Sequence, residues 1–175
     1  MALVSFDLNG TLLDPGARTD ALDRAVELAI AHTLAGSFRS FVDFQEAAGG
    51  ALPTEMPPFP DVTPALDALR RAGHQLAVLT NSARENAERH LAGAGLRDRF
   101  EQVVSADAAR AYKPDSRVYD LLESDWHVAA HWWDILGAAA VGRRTVYVAR
   151  REPLPSTVEA DIVVERLDEL DPMEL

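Results

Sequence analysis

Asp7-Leu8-Asn9-Gly10-Thr11 follows the apolar run Leu3-Val4-Ser5-Phe6 and precedes Leu12-Leu13-Asp14. A carboxylate at the carboxyl end of a buried strand, followed by a Gly-Thr turn, is a nucleophile presented on a rigid base. Such a group can attack an electrophilic carbon or phosphorus, form a covalent intermediate and be restored by water. Two places on stands Asn9, an amide where a carboxylic acid would supply a proton donor. Lacking a general acid, an oxygen leaving group loses about two to four powers of ten in rate. Halide leaves as a stable anion and needs no proton. Three more positions carry complementary chemistry: Thr80-Asn81 a hydroxyl and an amide, Lys113 before Pro114 an ammonium, and Asp134 a second carboxylate. A cation close to Asp7 would keep it ionised despite burial, which suits Lys113. Thr80 and Asn81 could bind an anionic oxygen, Thr11 organises the nucleophile turn, and Asp134 could hold Lys113, position water or bind a metal.

The elements that must position these groups alternate between strand and helix. Strands are predicted over residues 2–6, 75–79, 102–105, 126–130, 145–149 and 162–164, several of them without polar alternation, as in a parallel sheet covered on both faces. Asp7, Thr80-Asn81, Lys113 and Asp134 then fall at or just beyond successive strand ends, where open α/β sheets bind ligands. A helix from about residue 19 carries Leu22, Val26, Ile30 and Leu34 on one stripe, and a second helical stretch carries Phe38, Phe41, Val42 and Phe44. Gly49-Gly50 and Pro53, Pro57, Pro58 and Pro60 break the pattern and place a return hinge at 49–62. Thr63-Pro64 suits a helix start and Gly73 its end. Ser82-Ala83-Arg84-Glu85 reads as a capping box opening the next helix, to about residue 94. A short helix is expected over 116–123. The pattern predicts an α/β fold: a Rossmann-like, mostly parallel sheet flanked by helices, formed by 1–14 and 61–175, with a small helical cap insertion at 15–60.

The 175 residues, 47% of them hydrophobic, suffice for one packed domain with a small inserted module. A net charge of −11 argues against nucleic-acid and anionic-membrane partners. No apolar run approaches a membrane span, and the N-terminus lacks the pattern of a signal peptide. The absence of cysteine excludes disulfides, thiolate metal sites and a cysteine nucleophile, and fits a cytoplasmic location. His32, His74, His90 and His127 show no metal-ligand spacing. Trp126, Trp132 and Trp133 are expected in the core, and His131 in a structural or surface role, although it could donate a hydrogen bond near Asp134.

Taken together, four segments resemble the motifs of the haloacid dehalogenase-like (HAD) hydrolase superfamily: residues 7–14, Leu79-Thr80-Asn81, Ala111-Tyr112-Lys113-Pro114-Asp115, and Val128 through Ala138 with Asp134 at its centre. Within that superfamily the stretch from Lys113 to Tyr119 is similar to the L-2-haloacid dehalogenase branch, which also has a site tyrosine at the position of Tyr119. The resemblance implies that Asp7 displaces halide from C2 of a short 2-halocarboxylate and that water then cleaves the Asp7 ester. Asp7, Lys113 and Asp134 would be the catalytic residues, and Asn9, Thr11, Thr80, Asn81 and Tyr119 would contact the small anionic substrate. No cofactor is implied, and a homodimer is. The branch grips the substrate carboxylate with an arginine from its insertion, for which Arg18, Arg24 and Arg39 are the candidates. Only Ser124-Asp125 separate the short helix from the strand at Trp126, a connection tight enough to shift Asp134 relative to Lys113. Two alternatives stay open: a Mg²⁺-dependent phosphatase of small phosphate esters with Asp7, Asn9 and Asp134 at the metal, and a catalytically weakened HAD-fold binding protein. The magnesium-dependent members commonly carry another Asp four residues before the last, where Ala130 stands here.

Overall fold

The computed structural model describes residues 1–50, 53 and 55–175; Ala51, Leu52 and Thr54, inside the expected return hinge, lie outside the described residues. Six parallel strands form one sheet: β1 (Leu3–Phe6), β2 (Gln75–Thr80), β3 (Gln102–Ser105), β4 (Trp126–Ala129), β5 (Arg144–Val148) and β6 (Ile162–Val164), in the order β3-β2-β1-β4-β5-β6. The chain lays down β2 and β3 on one side of β1, then crosses to lay down β4, β5 and β6 on the other. The strand order therefore reverses at β1, and Asp7 sits immediately beyond its carboxyl end. This is the topological switch point at which doubly wound sheets form ligand crevices.

The central strands are mainly apolar on both faces because both are covered, with Ser5 and His127 as buried polar exceptions. Val4, Phe6, Leu76, Val78, Val128 and Val146 are fully buried in one core that includes Leu66 and Leu69 of α3 (Val62–Arg71) and Leu91 of α4 (Arg84–Gly93). Each fully buried residue of this size contributes about 1.5–3 kcal/mol over leaving it exposed. A second core on the other face joins Ala77 and Leu79 to α1 (Thr19–Leu34), α2 (Phe41–Ala47) and α5 (Ser116–Tyr119), with Ala138 of α6 (Trp132–Ala140). No helix among the described residues is long and apolar enough to cross a membrane.

Several local expectations are corrected. The buried stripe of α1 is Leu22, Ala25, Val26 and Ala29, whereas Leu34 is exposed and Ile30 only half-buried. Small alanines let α1 lie close over the site, so the contact follows them and not the larger Ile30 and Leu34. Helix α3 begins at Val62, so Thr63 lies inside it and is not its cap, and the Asp61 carboxylate at the N-cap is committed to Arg150 and the Leu167 N–H instead of capping. No side-chain cap opens α4, because its N-cap is Ala83, and the Ser82 hydroxyl accepts from Asn9 instead. Helix α5 ends at Tyr119, well short of residue 123.

After β1 the chain leaves the sheet for α1 and α2 and returns at α3, and the two crossings are paired with each other. Leu13 and Pro58 form an antiparallel bridge, the Asp14 N–H donates to Pro57 O and the Phe59 N–H to Leu12 O. Arg150, beyond β5, donates to Thr11 O, pairs with both Asp61 oxygens and lies over the Phe59 ring at 4.0 Å. One guanidinium thus touches the outgoing chain, the returning chain and α3's first turn.

Candidate functional site

The nucleophile turn is held from both sides. Asp7 N–H donates to Val128 O on β4, and the chain then curls so that Leu12 and Leu13 N–H groups both reach Leu8 O. The curl needs a left-handed residue, supplied by Gly10 at φ +81°. Glycine is also required for space, since a Cβ there would lie 2.9 Å from His131 Nε2. Thr11 Oγ1 donates to Asp7 Oδ2 at 2.8 Å and accepts from Ala130 N–H at 2.9 Å. Its hydroxyl is fully buried and fixes the Asp7 carboxylate against the end of β4. The expectation that Thr11 contacts substrate is therefore corrected: its one proton is already spent on Asp7.

Lys113, in the loop before α5, enters beneath Asp7 and is completely buried. Its Nζ donates to Asp7 Oδ1 at 2.8 Å, Leu79 O at 2.9 Å and Asp134 Oδ2 at 2.5 Å, using all three protons. Burial alone would lower its pKa, but Asp134 and Asp7 outweigh that and hold the ammonium above the ordinary lysine value. Burial likewise opposes ionisation of Asp134, yet His127 and Lys113 keep its carboxyl below the usual carboxylate range. The row Asp7–Lys113–Asp134 is continuous, so the short connection before β4 does not displace Asp134.

Asp134 is shut off from the cavity, with its other oxygen, Oδ1, accepting from Tyr119 OH at 2.7 Å and from His127 Nε2 at 2.9 Å. Tyr119 also donates toward Asp134 O and is itself buried, with its hydroxyl pushed well up in pKa by burial and by Asp134. Its expected place as a substrate contact is corrected: it braces Asp134 from behind. Gly137 leaves room for this, because a Cβ there would meet the Tyr119 hydroxyl at 2.6 Å.

In front of Asp7 lies a cavity of about 20 Å³ between the strand ends and the two inserted helices. Asp7, Asn9, Thr80, Asn81 and Ser82 form its floor, Leu22, Val26 and Phe41 its roof, and His131 and Trp133 its side. Asn81 Oδ1 accepts from Lys113 N–H, while Asn81 Nδ2 is buried without a partner. Asn9 Nδ2 donates to Ser82 Oγ, and Asn9 Oδ1 is likewise unpartnered. Thr80 Oγ1 accepts from the Ser82 N–H. Two amides beside the nucleophile thus keep one donor and one acceptor unused, at a cost that a bound molecule would remove.

His131 and Trp133 line the site, whereas the sequence reading favoured the core for Trp133 and a structural or surface role for His131. The His131 ring stacks on Trp133 at 4.9 Å, with Nε2 3.0 Å from Asn9 O and 3.7 Å from Asp7 Oδ2. The available signal was their position directly after β4, beside Asp134. A larger cavity of about 380 Å³ shares Val26, His131 and Trp133 with the inner one and is bordered by Arg151, which pairs with Asp23 of α1 at 2.8 Å. Arg18, Arg24 and Arg39 do not line the inner cavity, and Arg18 instead donates to Gly49 O.

The donor set expected under the phosphatase alternative does not fit a hard cation. Mg²⁺ demands near-octahedral oxygen ligands. Both Asp134 oxygens are committed to buried donors, the Asn9 carbonyl faces His131 Nε2, and each Asp7 oxygen already accepts one hydrogen bond. Among the described residues no group of three or more His, Asp or Glu side chains is placed to hold a metal.

Comparison with known proteins agrees with this geometry. A haloacid dehalogenase-like hydrolase family model matches residues 35–142. Haloacetate dehalogenase H-2 of Moraxella sp. (strain B) is 30% identical, the match covering 84% of this chain and 85% of that one. The (S)-2-haloacid dehalogenase of Pseudomonas sp. (strain YL) is 29% identical over 84% and 82% of the two chains. The L-2-haloacid dehalogenase of Xanthobacter autotrophicus shares the fold, with a TM-score of 0.86 over 98% of this chain and 96% of that one, at 23% identity. The chain belongs to the haloacid dehalogenase-like hydrolase family.

Proposed function

We propose that this hydrolase removes halide from C2 of a short 2-halocarboxylate, with Asp7 as nucleophile. The observation that carries the reading is the closed row Asp7–Lys113–Asp134. It presents an ionised carboxylate to the inner cavity while leaving no carboxylate oxygen of Asp134 free for a divalent cation. Asn9 fits the same chemistry, since its amide offers no ionisable proton to an oxygen leaving group and is tied to Ser82. The family and the dehalogenases similar to this chain support the substrate class.

An Asp7 oxygen attacks C2 from the side opposite the halogen. The C–O bond forms as the C–halogen bond breaks, and halide leaves with the electron pair. Water then adds to the Asp7 ester carbonyl, the bond between that carbonyl carbon and the C2 oxygen breaks, and the 2-hydroxy acid departs. Asp7 is regenerated and one proton is released to solvent. Lys113 fixes the attacking carboxylate throughout, Asn81 Nδ2 and Thr80 offer polar contacts to the substrate, and Trp133 and Phe41 exclude water. A cavity of about 20 Å³ holds roughly one water-sized sphere. The close roof of Leu22, Val26 and Phe41 favours small two- and three-carbon acids. No cofactor takes part, and the absence of cysteine suits a cytoplasmic enzyme.

The test is halide release from 2-chloro- and 2-bromocarboxylates after exhaustive chelation, with Asp7→Asn as control. A single turnover in ¹⁸O-labelled water should put the label first into Asp7, with the product hydroxyl unlabelled. Absence of halide release from every 2-halocarboxylate, or label appearing directly in the product, would refute the proposal.

A further inference from the structure

We propose that His127 is a positioning residue for this reaction, holding Asp134 so that Asp134 fixes Lys113 and Lys113 fixes Asp7. The inference rests on Asp7 being the nucleophile. His127 lies in the middle of β4, a strand buried along its whole length, and is itself fully buried. Its register partner on β1 is Ser5, the one polar residue of that strand and equally buried. The two side chains meet, with Ser5 Oγ 2.8 Å from His127 Nδ1. Ser5 Oγ is further anchored by Ser124 Oγ at 2.8 Å and by Trp126 O at 3.0 Å. On the other side of the ring, Nε2 reaches Asp134 Oδ1 at 2.9 Å.

A polar row through a parallel sheet costs free energy that an apolar residue would avoid, so packing alone does not account for it. Its geometry has one outlet. An ionised carboxylate only accepts, so His127 must carry its proton on Nε2 and donate it to Asp134. Ser5 and Ser124 clamp the opposite edge and set the ring's rotation, and Tyr119 meets the ring edge-on at 5.7 Å. Residues nearer the strand end cannot substitute, because Ala129, on the same face as His127, and Ala130 have no side-chain donor. With Lys113 on Oδ2 and Tyr119 and His127 on Oδ1, the Asp134 carboxylate cannot rotate. That immobility passes through Nζ of Lys113 to the attacking oxygen of Asp7.

The experiment compares His127→Phe, which fills the space without a donor, with His127→Gln, whose amide can donate. By analogy with partners that orient metal ligands, His127→Phe should lower kcat for halide release about 10–100-fold, with KM within about twofold. His127→Gln should recover a substantial part of the loss. Wild-type kcat in His127→Phe, or a Gln variant no better than the Phe variant, would overturn the proposal. Should the Phe variant fail to fold, the imidazole ¹⁵N spectrum of the wild-type protein decides: a proton on Nε2 is expected, and an unprotonated Nε2 refutes it. A wild-type protein that releases no halide would instead sink the functional reading, which separates the two failures.

Discussion

Replacing Lys113 by Met tests the central ion cluster most directly. Methionine fills much of the lysine's volume but leaves Asp7 and Asp134 buried without their shared cation, and Leu79 O without its donor. Removing one partner of a buried ion pair costs about 3–5 kcal/mol, because an uncompensated charge is left behind. For a domain of this size each kcal/mol moves Tm by about 2–4 °C, so a fall of roughly 6–20 °C is expected. The pH dependence carries the sign. In the wild-type protein the Asp134 carboxyl is held below its unfolded value, so its contribution is present above that value and lost as pH falls through the folded pKa. In Lys113→Met a buried carboxylate has lost its cation and takes up a proton more readily than in the unfolded chain. The folded variant then binds more protons than the unfolded one, and its stability rises as pH is lowered. Guanidinium unfolding of both proteins at pH 5, 6, 7 and 8 should show the widest gap at pH 8 and a narrower one at pH 5. A gap under about 1 kcal/mol, the size expected for an exposed pair, or one constant across this range, would refute the ion-pair reasoning.

Three further outcomes follow from the geometry. Gly10→Ala should cost about 1–2 kcal/mol from its left-handed backbone alone, and more from the approach to His131 Nε2; adding His131→Ala should restore only the second part, as measured by urea unfolding. Asn9→Asp should not create a Mg²⁺-dependent phosphatase, because the Asp134 oxygens stay committed to Lys113, Tyr119 and His127; hydrolysis of p-nitrophenyl phosphate with and without Mg²⁺ checks this, and a metal-dependent gain would contradict it. Gly137→Ala should destabilise by about 1–3 kcal/mol through overpacking against Tyr119 and Pro114 and lower kcat for halide release; Tyr119→Phe should relieve little of this cost, because Pro114 Cβ at 2.7 Å and the ring edge at 2.8 Å still stand in the way.

The parts of the site that were legible in sequence are those whose positions follow from strand ends. Asp7, Thr80, Asn81, Lys113 and Asp134 each follow an apolar run or a Lys-Pro break, so a parallel sheet alone gathers them. β3 and β6 were bounded correctly for the same reason, as short apolar runs between polar flanks. Contacts decided across the chain were not legible. Ser5 and His127 are neighbours only through the register of β1 against β4, being 122 positions apart in the chain. Ser82 looked like a helix cap until Asn9 claimed its hydroxyl. Tyr119 was placed near the site by the resemblance to the dehalogenase branch, but which side of Asp134 it occupies depends on how α5 packs on α6. The stripe of α1 misled because volume suggested Ile30 and Leu34, whereas closeness to the core selected Ala25 and Ala29.

The short ladder between Leu13 and Pro58, clasped by Arg150, closes the neck through which the chain leaves and re-enters the sheet. Whatever is spliced in above that clasp changes the ceiling of the cavity without pulling on Asp7 or Lys113. Loop-closure entropy grows only slowly with length, so a longer excursion adds little cost once the neck is sealed. The same base can carry a broader roof for bulkier acids or a slimmer one for smaller acids, which makes this neck the natural seam for exchanging substrate range between relatives.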